Sequence, residues 1–529
     1  MSKLANYLNQ YIVGNVFDRP SICRQYSTDR SILQISPRLV VFPENSEDIQ
    51  ALLRFTNQLA MRNFRLPVTL RGTGLDKTGA AIGDGLIIST EKLNHIEELD
   101  LRGRLVRAQP GVTLGQLNSA LALQGLTLPI DYDPRATLGG LIANCPNDDI
   151  SDKYGGVFHY IERAEVVLSN GDLIQLGPMT ARNLAPKLAA SNFEGALYRR
   201  LTQLLDRHGD TIVNRTMSHF DAAGYANVTK IREQRVTNLL PLMFASQGTL
   251  AVISDVILRV EPLPSATRHL AVTLPDAKAL LRFLNFVQEL DPRSLKFYDL
   301  RIVQEAAKYG NQPILLNPEF DRGWLVIVSF DNHKWRLNKN LQHCLDVLPP
   351  GTFAIEENLE NHDAFSEFYS ALMSFLNDNQ AGERAPVADD VYVPNFRLED
   401  FFAGLHTLEE TLSLDLPMFG SFSTSNYNVR PLVDLSSLDG RKLAITFLRQ
   451  YSDLVISCEG SLTGGSPEGR VKSLSTSGVL SDAELKLYRE IKAAFDPNNI
   501  LNPDVKLGAN LKDTLRHLRT TERAGLQTP

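Results

Sequence analysis

The chain has 529 residues, 43% of them hydrophobic and 22% charged, which is typical of a folded protein too long for a single hydrophobic core. Its formal net charge of −7 argues against a nucleic-acid partner, because binding phosphates needs clustered Lys and Arg side chains on one face. No stretch approaches the roughly 20 apolar residues of a membrane-spanning helix and no signal-peptide core is present, so we expect a cytoplasmic protein without a transmembrane segment, with peripheral membrane contact left open.

The first elements in chain order are a leading helix and a regular strand–helix–strand unit. Residues 1–35 are interpreted as a helix and a lead-in. Residues 38–42 (RLVVF) form a short apolar strand, which the following proline ends because it cannot continue a ladder. A helix over 47–62 follows with Ser46 as its N-cap, and a strand over 67–70 then runs into a glycine-rich segment.

Strands and helices alternate through the rest of the first half. A helix over 114–124 is ended by Gly125. The Asn-Gly pair at 170–171 lies between two apolar strands and predicts a β-hairpin. A long strand over 251–260 is followed by EPLP at 261–264, where we place the first domain boundary.

The second half mixes strands with long helices. An amphipathic helix over 275–291 and a buried strand over 324–330 indicate an α+β domain. A last helix is predicted over 481–496, and the residues after about 510 are polar and expected to fray. The predicted fold class is therefore α+β.

The segment RGTGLDKTG at residues 71–79 places three glycines directly after a strand. Glycine permits positive φ and lets successive backbone N–H groups converge on an anion, so this segment is a candidate phosphate-binding loop. On its own, a tight surface turn is the more frequent explanation. Four further segments make the phosphate-binding loop the better explanation, because they follow it in a fixed order. They are QPGVTL at 109–114, ATLGGLIAN at 136–144, KYG at 153–155 and SNG at 169–171.

This ordered series resembles the FAD-binding half of the vanillyl-alcohol-oxidase superfamily, a domain also called PCMH-type. In that family the first loop holds the FAD pyrophosphate and the later turns line the dinucleotide. The segments GY at 224–225, ASQGTL at 245–250 and FDPNNILNP at 495–503 resemble further family elements, the last of which returns the chain to the flavin. The resemblance covers roughly residues 36–508 and implies FAD as the cofactor. The residues that it assigns to FAD are Arg71, Gly72, Thr73, Gly74, Leu75, Thr78, Gly79, Gly111, Thr137, Gly139, Gly140, Asn144, Tyr154, Gly155, Gly248, Ile253 and Asn502.

The resemblance also implies how the cofactor is held and how the chain is divided. Some family members attach the flavin covalently through a His in the first loop, where this sequence has Leu75, so non-covalent FAD is expected. The implied parts are a helix and lead-in (1–35), a two-subdomain FAD-binding PCMH-type domain (36–264), an α+β substrate or cap domain (265–480), a C-terminal FAD-linked oxidase segment (481–510) and a polar tail (511–529).

Within the superfamily the sequence looks most similar to the D-lactate, glycolate and D-2-hydroxyglutarate dehydrogenases, with DVYVP at 390–394 resembling one of their strands. In that branch two His and a Glu hold a divalent metal, a further His acts as the base and a Lys binds substrate. Ser and Asn are poor ligands for a transition metal, so we expect no metal site. The positions at which this sequence departs from the branch are Ala388, Ser421, Asn428, Gly465 and Ser466, whereas Asn426 and Lys472 are retained.

Four side chains near these segments are candidates for catalysis. Glu468 would act as a base with a raised pKa, and Tyr427 could do similar work. Arg430 and Arg470 would recognise a carboxylate or phosphate. The alternative is that Arg430 and Glu468 pair with each other or with solvent, since structural ion pairs are as common as catalytic ones.

Three functional hypotheses follow. The first is an FAD-dependent oxidoreductase that takes a hydride from a C–OH group of a small alcohol or hydroxy acid, without a metal, and passes electrons to a quinone, a cytochrome, a partner flavoprotein or oxygen. The second is a flavin-binding protein that has lost its catalytic groups and has a binding or regulatory role. The third is a sugar or lactone oxidase of the same superfamily that uses a different base.

Overall fold

Two sheets organise the first half of the chain, and a third and larger sheet organises the second half. The computed structural model describes residues 2–214, 222–233, 236–310, 322–331, 334–350, 352–357, 362–377, 384 and 386–519. The mixture of helices and sheets agrees with the predicted α+β class. No helix among these residues is long and apolar enough to cross a bilayer.

The first sheet is small and mostly parallel. Its strands, in spatial order, are Asn15–Phe17, Leu39–Phe42, Leu86–Ser89 and Val68–Arg71. The last three run parallel and the first is antiparallel to its neighbour. The helix Ser46–Met61 covers this sheet with Ile49, Leu52 and Leu53, none of which is exposed to solvent. Parallel strands that are buried on both faces need apolar side chains on both faces, and the sequences of these strands supply them.

The second sheet is antiparallel and has the long strand at its centre. Its strands, in spatial order, are Ile96–Asp100, Leu105–Ala108, Val252–Arg259, Ile161–Val167 and Leu173–Leu176. The predicted hairpin is confirmed, because Ile161–Val167 pairs with Leu173–Leu176 and Gly171 turns with φ +86°. Two small sheets accompany it, formed by Leu126–Thr127 with Glu261–Pro262 and by Met179–Thr180, Val236–Thr237 and Arg232–Glu233.

The cap sheet has seven antiparallel strands with helices on both faces. In spatial order its strands are Phe353–Glu356, Thr267–Leu274, Trp324–Asp331, Ser294–Asp299, Met418–Ser421, Asn426–Val429 and Ala388–Tyr392. Side chains alternate along Trp324–Asp331, so Val326 and Val328 join one core and Leu325 and Ile327 join the other. The first core includes the helices Ala277–Gln288, Lys334–Asp346, Leu398–Leu412 and Leu438–Ser457, and the second includes Leu300–Gly310 and His362–Asn377.

Apart from two helices near the end of the chain, the remaining helices are short or lie around the first half. They are Lys3–Leu8, Pro20–Gln25, Leu114–Ala122, Leu138–Asn144, Ser151–Tyr154, Ala181–Ala189, Phe193–Arg207, Gly209–Asn214 and Ser473–Ser477. Single 3-10 turns occur at Val157–His159, Ala226–Lys230, Leu240–Met243 and Asn395–Arg397. The leading segment thus contains two helices with a strand between them. Asn45, rather than Ser46, caps the third helix, since its side chain accepts the bond from the Asp48 N–H.

The end of the chain returns to the first half. Helix Asp482–Phe495, with a capping box at Ser481, packs Leu487 and Ile491 into the core of the second sheet. The backbone N–H of Val68 donates to the carbonyl of Ile500, and that of Asn502 donates to the carbonyl of Val68, both at 2.7 Å. The C-terminal segment therefore lies beside the strand that leads into the glycine loop.

The expected polar tail is partly ordered. The helix Leu511–Arg516 is followed by Leu518, which pairs with Leu33 and is only 9% exposed. The N–H of Gln34 donates to the carbonyl of His517 at 2.7 Å and that of Arg519 to the carbonyl of Ile32 at 3.0 Å, so backbone pairing holds this segment together with Leu518, which polarity alone did not indicate. Residues 520–529 lie outside the described part of the chain.

Candidate functional site

A cleft runs between the first and second sheets and encloses about 920 Å³, its open mouth included. The glycine loop, the helix Leu138–Asn144 and the start of strand Val252–Arg259 form its walls. The residues assigned to FAD that line it are Arg71, Gly72, Thr73, Gly74, Leu75, Thr137, Gly139, Gly140, Asn144, Gly248 and Ile253. Lining residues that had not been assigned to the cofactor include Asp76, Tyr132, Pro146 and Gln247.

The glycine loop offers backbone donors at the wall of the cleft. Among the described residues, the N–H groups of Gly72, Thr73, Gly74 and Leu75 have no hydrogen-bond acceptor. Gly74 has φ +75°, which only glycine adopts without strain. A run of unsatisfied N–H groups in a turn is the arrangement that cradles phosphate oxygens.

The loop also approaches the opposite wall too closely for side chains. A Cβ atom on Gly72 would lie 2.2 Å from Thr137 Oγ1, and one on Gly74 would lie 2.3 Å from Arg71 Nη2. The Arg71 guanidinium itself donates to the carbonyl of Thr28 at 2.8 Å, and so places a positive charge beside the loop. Glycine is therefore required at Gly72 by the opposite wall, whereas at Gly74, where the near atom is the movable end of Arg71, it is required by the positive φ.

A buried carboxylate shapes the loop from behind. Asp76 accepts bonds from the N–H groups of Thr78 at 2.9 Å and Ala80 at 2.7 Å. Burial raises the pKa of Asp76. Thr78, which had been assigned to the cofactor, does not line the cleft, and its hydroxyl instead accepts a 2.9 Å bond from Gln247 Nε2. Thr78 thus joins the loop to the opposite wall.

Two other predicted cofactor residues also support the walls rather than line them. A Cβ atom on Gly111 would lie 1.9 Å from the carbonyl oxygen of Thr90, so the turn can form only with glycine. Asn502 Nδ2 donates to the carbonyls of Ala80 and Gln247, both at 2.8 Å. Asn502 therefore ties the C-terminal segment to the two chain segments on either side of the cleft.

The last three predicted cofactor residues also lie outside the lining. Gly79 and Gly155 adopt φ +81° and +82°, so both act as turns. The Tyr154 hydroxyl donates to Asp331 of the cap sheet and so joins the two halves of the chain. Their predicted contact with FAD stays a prediction.

The chemistry of the cleft fits a dinucleotide. The unsatisfied N–H groups of residues 72–75 suit a pyrophosphate, and apolar walls that include Leu70, Leu141 and Val252 suit aromatic rings. Family models match both halves of the chain, an FAD binding domain over residues 37–177 and the C-terminal domain of FAD linked oxidases over residues 263–505.

The chain belongs to the FAD-linked oxidases. Its cofactor is FAD. The chain is similar to a D-lactate dehydrogenase of Archaeoglobus fulgidus, with 26% identity over 90% of this chain and 94% of that protein. It is also similar to a D-2-hydroxyglutarate dehydrogenase of Pantoea ananatis, with 25% identity over 90% of this chain, although it spans only 48% of that relative's length.

Solved structures share the fold of this FAD-linked oxidase. A 4-ethylphenol oxidase from Gulosibacter chungangensis has a TM-score of 0.66 at 14% identity, covering 95% of this chain and 97% of that one. An alkyldihydroxyacetonephosphate synthase has a TM-score of 0.62 at 16% identity, covering 95% and 86%. These similarities establish the two-domain architecture of this FAD-linked oxidase.

Cap residues approach the FAD cleft at the end formed by Tyr132. Burial, and next the charge of Asp390, raise the pKa of Tyr132. The Asp390 carboxylate accepts a 3.0 Å bond from the Ser466 hydroxyl. Burial alone would raise the pKa of Asp390, but the charges of Lys77 and Lys472 lower it. The Asp390 carbonyl accepts the N–H of Gly465 at 3.1 Å, and the Gly465 carbonyl accepts the N–H of Asn147 at 3.1 Å, next to Pro146 in the cleft wall, so Asp390 lies near the cleft without lining it.

The backbone is bent where Asp390 sits. Asp390 has φ +58°, and the pairing of its strand with Asn426–Val429 shifts register between Ala388 and Val391. A non-glycine residue with positive φ at a bulge costs free energy, and such bulges re-aim side chains next to active sites. The bulge therefore explains how Asp390, which lies on an edge strand of the cap sheet, comes to face the cofactor domain.

Asn147 connects the same end of the cleft to the cap. Its N–H donates to the carbonyl of Gly465 at 3.1 Å, and its side-chain amide donates to the carbonyl of Thr424 at 3.2 Å. Asn426 Nδ2 donates in turn to the Asn147 carbonyl at 3.4 Å. Pro146, the residue before Asn147, lines the cleft, so this hydrogen-bond network begins one residue away from the cleft wall. The hairpin between the strands Met418–Ser421 and Asn426–Val429 therefore closes this end.

The predicted catalytic residues all bind partners within the protein. Glu468 accepts a 2.7 Å bond from Lys506, and Arg430 makes two bonds of 2.7 and 2.6 Å to Asp389. The alternative that Glu468 and Arg430 pair with each other or with solvent is therefore wrong, because each has a buried partner elsewhere. Their catalytic roles stay predictions, and neither residue lines the cleft.

The other two catalytic candidates are likewise engaged. Tyr427 is fully buried and its hydroxyl donates to Asn395 Oδ1 at 2.6 Å. Arg470 donates to the carbonyl of Pro503 at 2.8 Å and to that of Ile82 at 3.3 Å. These contacts join the cap to the C-terminal segment and the first sheet. Asp390, first noted only as part of the DVYVP strand, and Lys77, in the glycine loop, had been given no role.

Proposed function

We propose that this FAD-linked oxidase removes a hydride from the C–OH carbon of a small molecule, with Asp390 accepting the hydroxyl proton and without a metal ion at the site. The relatives named as D-lactate and D-2-hydroxyglutarate dehydrogenases support oxidation of such a group. The observation that carries the proposal is the position of Asp390, whose backbone is linked through Gly465 and Asn147 to the cap end of the FAD cleft and whose carboxylate accepts a 3.0 Å bond from Ser466.

Each side chain near that end has a distinct task in the proposal. Bound FAD supplies the hydride acceptor. Asp390 takes the proton as the C–H bond breaks, while Lys77 and Lys472 keep its carboxylate ionised between turnovers. The Ser466 hydroxyl fixes one carboxylate oxygen by its 3.0 Å bond, which leaves the other oxygen to face the substrate hydroxyl. Tyr132 shields the same end from water.

The absence of a metal is supported by the way the hairpin packs. A Cβ atom on Gly465 would lie 2.3 Å from Asn426 Nδ2, so the Asn426 amide fills the space that a longer side chain at 465 would need. Asn428 Oδ1 accepts the N–H of Asp390 at 3.1 Å and serves the bulge instead of an ion. The described residues contain no group of three His, Cys, Asp or Glu side chains positioned to hold a metal.

A second candidate function is a flavin-binding protein without catalysis. It is favoured by one observation, namely that all four side chains first predicted to be catalytic are engaged in contacts within the protein. The third candidate, a sugar or lactone oxidase, differs from the main proposal in substrate only and is tested by the same measurement.

Anaerobic bleaching of the flavin tests the proposal. The FAD-loaded protein is mixed with D-lactate, glycolate, D-2-hydroxyglutarate and a series of neutral alcohols and sugars, and the loss of the oxidised flavin band is followed. We expect at least one compound to bleach the flavin. A protein that holds one FAD per chain and is bleached by none of them would establish the non-catalytic alternative.

Two variants test the role of Asp390. We expect Asp390→Asn to keep its FAD and to be reduced at least 100-fold more slowly, because general-base catalysis typically contributes 10²–10⁴-fold. Asp152→Asn is the matched control, since Asp152 is exposed at the same face of the interface and bonds only to Gln288 among the described residues. Equal reduction rates in both variants would contradict the assignment of the base.

A further inference from the structure

Lys77 carries a positive charge from the glycine loop to the cap. In the chain it lies between Asp76, which lines the FAD cleft, and Thr78, which binds Gln247. Its ammonium is 3.7 Å from Asp389 Oδ2 in the cap, which is too long for an N–H···O hydrogen bond. The Lys77 side chain is 21% exposed. The ammonium therefore lies between the loop and the cap and is still accessible to solvent.

Asp389 already has a better partner than Lys77. The Nε and Nη2 atoms of Arg430 donate to its two carboxylate oxygens at 2.7 and 2.6 Å. Such a bidentate pair is among the strongest that a carboxylate can form, and it balances the single negative charge of Asp389. Both side chains are closed off from solvent, at 5% and 2% exposed. The charge of Lys77 is therefore left without a carboxylate of its own.

The other lysine at this end has its donors in use. The Lys472 ammonium donates to the carbonyls of Asp390 at 3.3 Å and Leu462 at 3.1 Å, and to the Ser466 hydroxyl at 3.5 Å. An ammonium has three donors. Among the described residues, the only partner of the Lys77 ammonium is the distant Asp389 carboxylate. Lys77 is therefore the lysine of this pair with donors to offer a ligand.

The charges around Asp390 do not balance. Burial raises the pKa of Asp390, whereas the charges of three nearby cations lower it. These cations are Lys77, Lys472 and Arg430. Two carboxylates, those of Asp389 and Asp390, stand against them. The group therefore has one more positive than negative charge, and charges with little access to water are stable only when they are paired.

A substrate with a carboxylate next to its hydroxyl group would complete this set of charges. In a 2-hydroxy acid the carboxylate is attached to the carbon that carries the hydroxyl group. If Asp390 accepts the proton of that hydroxyl, the two carboxylates lie within roughly 5 Å of each other, where like charges repel. A cation beside the base offsets this repulsion. The Lys77 ammonium lies against Asp389, the residue directly before Asp390, and so is placed for this task.

We infer that Lys77 binds the carboxylate of the substrate and thereby selects a hydroxy acid over a neutral alcohol. This inference rests on the oxidation of a C–OH group proposed above. It makes Lys77 a specificity-determining residue that comes from the FAD-binding half of the chain rather than from the cap.

A pair of compounds that bind without reacting tests the inference. The FAD-loaded protein is titrated with 2-hydroxy-2-methylpropanoate and with its amide, which differ in charge but hardly in shape. Neither has a hydrogen on the hydroxyl-bearing carbon, so neither can reduce the flavin, and the shift of the oxidised flavin spectrum measures binding alone. Flavin reduction by D-lactate and by D-lactamide gives the same comparison for a pair that can react. We expect the acid to be preferred at least 10-fold in both pairs.

Three variants assign this preference to its residue. We expect Lys77→Met to lower the acid-to-amide ratio at least 10-fold and to keep its FAD affinity, since Arg430 still holds Asp389. Lys77→Arg keeps the charge and should retain most of the preference. Lys92→Met is the matched control, because it removes another lysine of the FAD-binding half whose ammonium binds Glu44 at 2.6 Å.

The outcomes separate the inference from the proposed function. An unchanged acid-to-amide ratio in Lys77→Met, or a wild type without preference for the acid, overturns the inference, and the proposed oxidation stands if the flavin is still reduced. A loss of FAD affinity of 10-fold or more in Lys77→Met would assign the ammonium to the cofactor phosphates and also overturns it. Binding of the acid that depends on Lys77, without flavin reduction by any compound, supports the inference and contradicts the oxidation.

Discussion

Glu468, in the glycine turn of the cap, forms an ion pair of 2.7 Å with Lys506 of the C-terminal segment. Their side chains are 1% and 0% exposed, and Glu468 also accepts a 2.6 Å bond from the N–H of Gly224. Lys506 donates further to the carbonyl of Ala222 at 2.9 Å. The pair therefore joins three segments that are far apart in sequence, at a depth where an unpaired charge is very costly.

Removing one partner of this pair should destabilise the protein severely. We expect Lys506→Met to lower the free energy of unfolding by about 3–5 kcal/mol, because it leaves the Glu468 carboxylate buried without compensation. Urea denaturation of the FAD-loaded protein measures the effect. Lys512→Met, at an exposed position of the last helix, is the control. Unchanged stability together with lost flavin reduction would instead support the catalytic role first predicted for Glu468.

The glycine loop should tolerate no side chain at its first position. In Gly72→Ala the new Cβ would meet Thr137 Oγ1 at 2.2 Å, so one wall of the cleft must shift away from the other. We expect the purified variant to fold but to lose at least 10-fold in FAD affinity, measured by flavin fluorescence on titration. Gly209→Ala is the control, because nothing lies within 4 Å of a Cβ atom there. Wild-type affinity in Gly72→Ala would contradict the position of the pyrophosphate.

One buried carboxyl group should make the protein less stable as the pH rises from acidic to alkaline values. Burial raises the pKa of Asp148 to about 7, so the folded state favours its protonated form. The stability that this preference contributes is complete below the ordinary value of 3.8 and is lost as the pH rises through 7. Between pH 5 and pH 8 we expect wild type to lose about 2 kcal/mol relative to Asp148→Asn. Parallel pH curves for the two proteins would contradict this prediction.

The rate of flavin reduction should not depend on a base that titrates near neutrality. The charges of Lys77 and Lys472 lower the pKa of Asp390 below its ordinary 3.8, so the carboxylate is ionised at every pH above that value. With the best substrate we expect a level rate from pH 5 to pH 9 in anaerobic stopped-flow measurements. A rate that rises steadily with pH would point to Lys472, whose pKa burial lowers, as the proton acceptor instead.

FAD should leave the protein on acid precipitation. At the loop position where covalent relatives carry a His, Leu75 has no atom that can form a bond to the flavin. We expect the yellow colour to appear entirely in the supernatant after acid treatment, and to remain in the protein pellet only if another residue forms the bond. The absorption spectrum of each fraction measures the outcome.

The sequence predicted the FAD cleft well because its constraints are local. Gly72 is required by its contact with Thr137 and Gly74 by its positive φ, and short motifs in a fixed order carry such requirements. The helix after Thr113 and the hairpin at Gly171 are likewise local structures with capping and turn residues of the expected types.

The partners of the predicted catalytic residues could not be predicted from the sequence, because their pairing is long-range. Arg430 and its partner Asp389 are 41 residues apart in the sequence, and Glu468 and its partner Lys506 are 38 residues apart. Neither partner is recognisable from its sequence neighbourhood. Asp390 had been seen only as part of a strand motif, and nothing in DVYVP reveals the bulge that turns its backbone to φ +58°.

The pairing of Asn502 with the carbonyls of Ala80 and Gln247 has a consequence for biosynthesis. The strand beside the glycine loop gains its neighbour at Ile500 only after the entire cap has been translated. A ribosome-bound chain that has released only its first 260 residues therefore holds every residue that lines the nucleotide cleft but lacks the segment that braces the glycine-loop strand. We expect such a nascent chain to hold the flavin more weakly than a chain that includes residues 500–502.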